Sequence, residues 1–104
     1  MICLGIEATA HTLGIGICDE KRILANCRSV YKPEKGGIHP MEAMNHHIEV
    51  KEKVLEDALK EAKLQLNDID IFAYSAGPGL PPCLKVGTDF VQKISNSKNT
   101  LEVN

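Results

Sequence analysis

The sequence predicts an α/β fold in which three antiparallel strands are followed by a helix, a parallel strand, a second helix and the opening of a further strand. Two observations carry this expectation. Up to residue 30 the apolar and small residues alternate with the period of a strand, and from residue 41 the apolar period lengthens to three and four, that of a helix. Glycine and proline cluster where one pattern gives way to the next, at 31–40 and 75–82.

Ile2 to Ala8 is an apolar run interrupted by Gly5, and Leu13, Ile15 and Ile17 alternate with Gly14, Gly16 and Cys18. Both segments predict strands. Asp19-Glu20-Lys21 is a polar turn before Arg22 to Val30, where Ile23, Ala25 and Cys27 share one face, which completes an antiparallel meander. Tyr31 to Pro40, with two prolines and Gly36-Gly37, is a loop. From Met41 to Leu66 the stripe Met44, Ile48, Leu55, Ala58, Leu59 and Ala62 predicts a long amphipathic helix. Its solvated face offers Glu49/Lys53 and Glu56/Lys60 as ion pairs four residues apart. Asn67-Asp68 ends this helix, Ile69 to Tyr74 forms a strand, and Ser75 to Pro82 is a Gly/Pro loop. Cys83 to Lys98 predicts a second helix with Leu84, Val86, Phe90, Val91 and Ile94 as its apolar set, and Thr100 to Asn104 opens another strand.

This element order is that of ribonuclease-H-like and actin-like domains, in which the fourth strand lies parallel to the first and the first hairpin faces a nucleotide cleft.

At 104 residues the chain has the size of one small domain, and 43% hydrophobic with 25% charged residues excludes a disordered chain. A net charge of -2 supplies no basic field for nonspecific nucleic-acid binding, so RNA contacts need help from elsewhere. The four cysteines, Cys3, Cys18, Cys27 and Cys83, lack zinc-finger spacing and no secretion signal precedes them, so buried, reduced thiols are expected. No apolar run approaches the roughly 20 residues needed to span a bilayer, and a soluble cytoplasmic protein is expected.

The hairpin from Gly5 to Gly16 combines small residues, the hydroxyls of Thr9 and Thr12 and one carboxylate, Glu7, which suit a turn that touches phosphate or a metal-bound water, while His11 and His39 are isolated. A turn in which Thr9 and Thr12 satisfy local hydrogen bonds and Glu7 lies at the surface accounts for the same pattern. His46-His47 is not a chelating pair, because adjacent helical positions point about 100° apart; one packed and one solvated imidazole are expected. Gly77-Pro78-Gly79 matches neither the dinucleotide fingerprint nor the Walker loop, and Ser75 lacks a nucleophile elbow or an identifiable base. No protease constellation is present.

Three blocks in order resemble the tRNA threonylcarbamoyladenosine synthase family of the TsaD/Gcp type, and within it the archaeal members. They are Met1-Ile2-Cys3-Leu4-Gly5-Ile6-Glu7-Ala8-Thr9-Ala10; Gly36-Gly37-Ile38-His39-Pro40-Met41-Glu42-Ala43 with His46-His47-Ile48-Glu49; and Ser75-Ala76-Gly77-Pro78-Gly79-Leu80 with Leu84-Lys85-Val86-Gly87. The resemblance implies transfer of a threonylcarbamoyl group from an adenylate to the amino group of the adenosine beside the anticodon. It also implies an ASKHA-type cleft for an adenine nucleotide, a divalent metal (iron or zinc), tRNA, and KEOPS-type protein subunits docked on the helices of the N-terminal lobe.

The family's metal histidines follow a Val-Asn approach resembling Leu101-Glu102-Val103-Asn104, so residues 1–104 are expected to form an N-terminal subdomain, an incomplete domain truncated before the metal motif. The resemblance therefore implies no catalytic residue and no metal ligand here. It does imply a cleft wall made by Glu7, Thr9, His11, Ser75, Gly77, Pro78 and Gly79. Cys83, Lys85, Asp89 and Gln92 depart from the family pattern and bear on whether the second helix forms and the enzyme is active. A noncatalytic binding module, or a paralogue within a tRNA-modification complex, is the competing expectation.

Overall fold

A computed structural model of residues 1–104 contains one mixed five-stranded sheet, two α-helices and a short 3-10 helix at Leu66–Asp68. The strands are β1 (Cys3–Glu7), β2 (Thr12–Cys18), β3 (Ile23–Val30), β4 (Ile71–Ser75) and β5 (Asn99–Val103), in the spatial order β3-β2-β1-β4-β5. β1, β2 and β3 are antiparallel, while β4 and β5 add in parallel through crossovers carrying α1 (Pro40–Ala62) and α2 (Pro81–Ser95). The expected meander and parallel fourth strand are both present.

α1 packs on β2 and β3, and α2 on β4 and β1. Both lie on the same face of the sheet. Alternation decides which residues they cover: Leu4, Ile6, Leu13, Ile15 and Ile17 are buried beneath the helices together with Phe72. The other set, Cys3, Gly5, Glu7, Thr12, Gly14, Gly16 and Cys18, is not buried and looks out from the opposite, open face. No helix is long and apolar enough to cross a membrane.

Element ends differ from the sequence expectation where the backbone supplies a stop. α1 begins at Pro40, whose missing N–H costs nothing at a first helical position, and it ends four residues before Leu66. Lys63 turns left-handed (φ 59°, ψ 42°) and Leu64 N–H returns to the Leu59 carbonyl at 3.0 Å, which closes the last turn. α2 stops at Ser95, short of Lys98, because Asn96 and Ser97 take positive φ. β4 starts at Ile71, two residues late, since Asp70 turns aside to accept from Ile2 N–H at 2.7 Å.

Three packing expectations are corrected. Ile48 is 45% exposed and sits outside the core, and the buried positions near the start of α1 are Ala43 and His47. Lys53 pairs with Asp57 at 3.0 Å instead of Glu49. Of the four free thiols only Cys83 is fully buried, and Cys18 is exposed because it ends β2 on the open face.

Candidate functional site

The β1–β2 turn and the loop between β4 and α2 meet at one end of the sheet, because β1 and β4 are adjacent and parallel and their C-terminal ends emerge together. Leu80 N–H donates to the Thr9 carbonyl at 2.7 Å. Gly79 lies so close to this turn that a Cβ there would fall 2.6 Å from Thr9 O and 2.9 Å from Thr9 Cβ. Only glycine fits without moving backbone. Thr9 and Gly77-Pro78-Gly79, separate in sequence, thus form a single ridge.

Within the turn, the Glu7 carboxylate accepts from Thr9 N–H at 3.1 Å and from the Thr9 hydroxyl. Glu7 is exposed, so its oxygens tie the turn together while remaining open to solvent. His11 is also exposed, and its Nδ1 lies 2.5 Å from Thr12 Oγ1. Ser75, at the end of β4, lines a shallow groove of about 340 Å3 on the open face together with Glu7, Thr12, Asn26 and Arg28. Its floor is Gly5, Gly14 and Gly16, positions where the strands carry no side chain. His11, Pro78 and Gly79 are not among its lining residues, so the expected wall divides into a ridge and a groove that share the β1–β2 turn.

Sequence reasoning missed what holds this turn from beneath. His47 is fully buried, and its Nε2 is 2.7 Å from the Ala10 carbonyl. A carbonyl only accepts, so Nε2 carries a hydrogen, and in the tautomer with that single hydrogen Nδ1 is the acceptor. His46 Nδ1, 2.9 Å away, must then donate, which leaves His46 Nε2 to accept from the Ser29 hydroxyl at 3.0 Å. This relay links β3, α1 and the β1–β2 turn. His46 is half-buried and engaged, not solvated as expected. Burial, and then the neighbouring His47, lower its pKa below the usual histidine value, with Glu49 opposing. The sequence signal was available in the adjacent pair His46-His47, but the partner that His47 reaches, Ala10, lies 37 positions away.

No group of three or more His, Cys, Asp or Glu side chains is placed to hold a metal ion. The residues present therefore do not fit the multi-ligand metal implied by the sequence resemblance, and no chemical step is assigned to a metal here.

The substitutions in α2 do not disrupt it. Cys83 is fully buried in its first turn, and Lys85 pairs with Asp89 at 3.0 Å, four residues on. Between the helices, Met44, Ile48, Val86 and Phe90 line a groove of about 290 Å3 edged by Lys51, Lys85 and Lys93.

Comparison with known proteins gives concordant results. The family profile of TsaD, tRNA N6-adenosine threonylcarbamoyltransferase, matches residues 22–101. A tRNA N6-adenosine threonylcarbamoyltransferase of Thermococcus sibiricus is 55% identical over 86 residues, covering 83% of this chain and 26% of that protein. The Staphylothermus marinus protein of the same name is 48% identical over 102 residues, covering 92% and 30%. The chain thus spans less than a third of the length of these relatives. Among solved structures, YeaZ from Pseudomonas aeruginosa superposes with a TM-score of 0.78 at 19% identity, over 99% of this chain and 42% of that one, a likeness of fold.

Proposed function

The chain belongs to the TsaD family, tRNA N6-adenosine threonylcarbamoyltransferase, and from that membership we propose that residues 1–104 form an N-terminal ASKHA-type subdomain carrying one wall of the substrate cleft. The whole enzyme transfers a threonylcarbamoyl group from its adenylate to the exocyclic amine of the adenosine beside the anticodon. A new C–N bond forms at the carbamoyl carbon, adenosine monophosphate leaves, and the amine releases a proton.

The observation that supports this reading is the convergence of the β1–β2 turn and the Gly77–Gly79 loop at the C-terminal ends of β1 and β4. In open α/β sheets, ligands gather at such ends. Thr9, His11 and Ser75 offer hydroxyl and imidazole groups toward an adenine nucleotide, and Glu7 fixes the turn that presents them. The iron or zinc of the family and its catalytic residues are assigned to polypeptide outside these 104 residues. The cell location proposed is the cytoplasm, where tRNA is processed.

Backbone amide NMR of the chain titrated with ATP tests the assignment. The expected result is chemical-shift change concentrated at Glu7–Thr12 and Ser75–Leu80, with no tRNA modification by the chain alone. Shifts confined to other surfaces, or modification of tRNA by the isolated chain, would overturn it.

A second role on the same framework is docking of a KEOPS-type subunit on α1 and α2. It is favoured by the apolar floor of the inter-helix groove, where Ile48 is exposed and Met44 only partly buried. If that subunit shifts only residues of the sheet's open face in the same NMR experiment, the docking assignment fails.

A further inference from the structure

Cys3 and Cys18 stand directly opposite each other in the β1/β2 ladder. Both belong to the alternate set that turns away from the helices, and both border one shallow recess of about 340 Å3 with Gly5, Gly16, Ile23 and Asn26. Both are free thiols; Cys18 is exposed and Cys3 half-buried. The neighbouring position on β1 is bare, since a Cβ at Gly5 would meet nothing within 4 Å. Burial, and then the nearby Cys18, push the Cys3 thiol up, consistent with two sulfurs sharing one small space.

The hydrogen-bond register sets their spacing. The Ile2 carbonyl accepts from Ile71 N–H at 3.2 Å on the β4 side, so the next residue, Cys3, turns its own N–H and C=O toward β2. Cys3 and Cys18 are therefore a hydrogen-bonded pair of the ladder, with Cα atoms about 5.5 Å apart and Cβ atoms at the wider end of about 4.5–5.5 Å. A disulfide requires Cβ atoms within about 3.5–4.5 Å. A direct S–S bond would have to bend the ladder, whereas one interposed atom with two bonds to sulfur of about 2.3 Å each spans the gap.

No third protein ligand converges on the pair, which excludes the four-ligand tetrahedral site that structural zinc requires. Two thiolates without further donors suit a soft monovalent ion of low coordination number. The remaining thiols do not compete, because Cys83 is fully buried and Cys27 donates to Glu61 Oε2 at 3.0 Å.

We propose that Cys3 and Cys18 form a two-thiolate binding site on the open face of the sheet for a soft monovalent cation of the copper(I) class. On binding, each thiol releases its proton to solvent and each sulfur donates a lone pair to the ion. No electron changes hands, and no oxidant is consumed.

Anaerobic titration of the reduced 104-residue chain with copper(I) held by a chromophoric chelator, followed by alkylation and peptide mass spectrometry, tests the site. The expected result is one equivalent bound, joint protection of Cys3 and Cys18 from alkylation, and affinity lowered roughly tenfold or more in both C3S and C18S. Cys18 is exposed, so C18S and C18A retain the fold as judged by circular dichroism even if C3S does not. Unchanged affinity in C18S and C18A, or protection of Cys27 or Cys83 in place of the pair, would overturn the proposal. Oxidised glutathione provides a check on spacing. A mixed disulfide on Cys18 supports the proposal, and prompt, complete formation of a Cys3–Cys18 disulfide defeats it.

Discussion

Replacing Gly79 with alanine places a methyl group 2.6 Å from the Thr9 carbonyl oxygen, 2.9 Å from Thr9 Cβ and 3.0 Å from Thr9 Cα. Two of these three atoms belong to the backbone of a tight turn, which cannot rotate away as the end of a long side chain can. The loop must therefore lift, and the 2.7 Å bond from Leu80 N–H to Thr9 O opens with it. Overpacking costs about 1–3 kcal/mol, and the opened hydrogen bond about 0.5–1.5 kcal/mol more. The lower entropy of the unfolded alanine chain offsets about 0.4–1 kcal/mol. The net expectation is a loss of about 2–3 kcal/mol, which lowers the midpoint of thermal unfolding by roughly 10–20 °C in a chain of this size. Gly5→Ala is the matched control: its Cβ meets nothing within 4 Å, so alanine in that strand stabilises by about 0.5–1 kcal/mol. Urea unfolding followed by circular dichroism measures both. A G79A protein within about 0.5 kcal/mol of the parent, or a G5A protein destabilised as much as G79A, would refute the argument that the two loops are held in contact by the missing side chain.

Two further outcomes follow from the titrating groups. His46 has a folded pKa below its unfolded value, because burial and His47 disfavour its charge. The unfolded chain takes up that proton first, so stability is retained above pH about 6.5 and falls as pH drops through the lower folded value. Thermal midpoints between pH 7.5 and 5.5 should decline in the parent and less steeply in H46Q; parallel slopes would remove His46 as the cause. Cys27 is pushed up to about 11, first by its hydrogen bond to Glu61 and then by burial. At pH 8 its thiolate population is about a hundredfold below that of an unperturbed thiol. Peptide-resolved alkylation should show Cys27 lagging behind Cys18 and accelerating in E61Q, and equal rates in parent and E61Q would exclude the carboxylate as the cause.

The strands, the helices and their order were legible because each rests on a local period. Leu13, Ile15 and Ile17 alternate with glycines in the sequence and alternate between faces in the sheet. The helix ends were less legible: Lys63 and Asn96 take left-handed conformations, which favour glycine or asparagine, and Lys63 gives no sign of the stop that glycine would. Sequence resemblance also picked out the turn at Glu7–His11 and the loop at Ser75–Gly79, but as separate segments.

Their contact exists only because β4 returns beside β1 in parallel, an arrangement that depends on residues about 70 positions apart pairing across the sheet. The same non-local geometry turned His46-His47 from one packed and one solvated imidazole into a relay supporting Ala10, and set Cys3 against Cys18. By itself the sequence determined the element types, the family and the residues of the two loops, since propensity, periodicity and motif are written in neighbouring positions. Only the tertiary structure decided which face of the sheet stays open, which glycine is indispensable and which side chains share a site, because those are set by contacts between segments far apart in the chain.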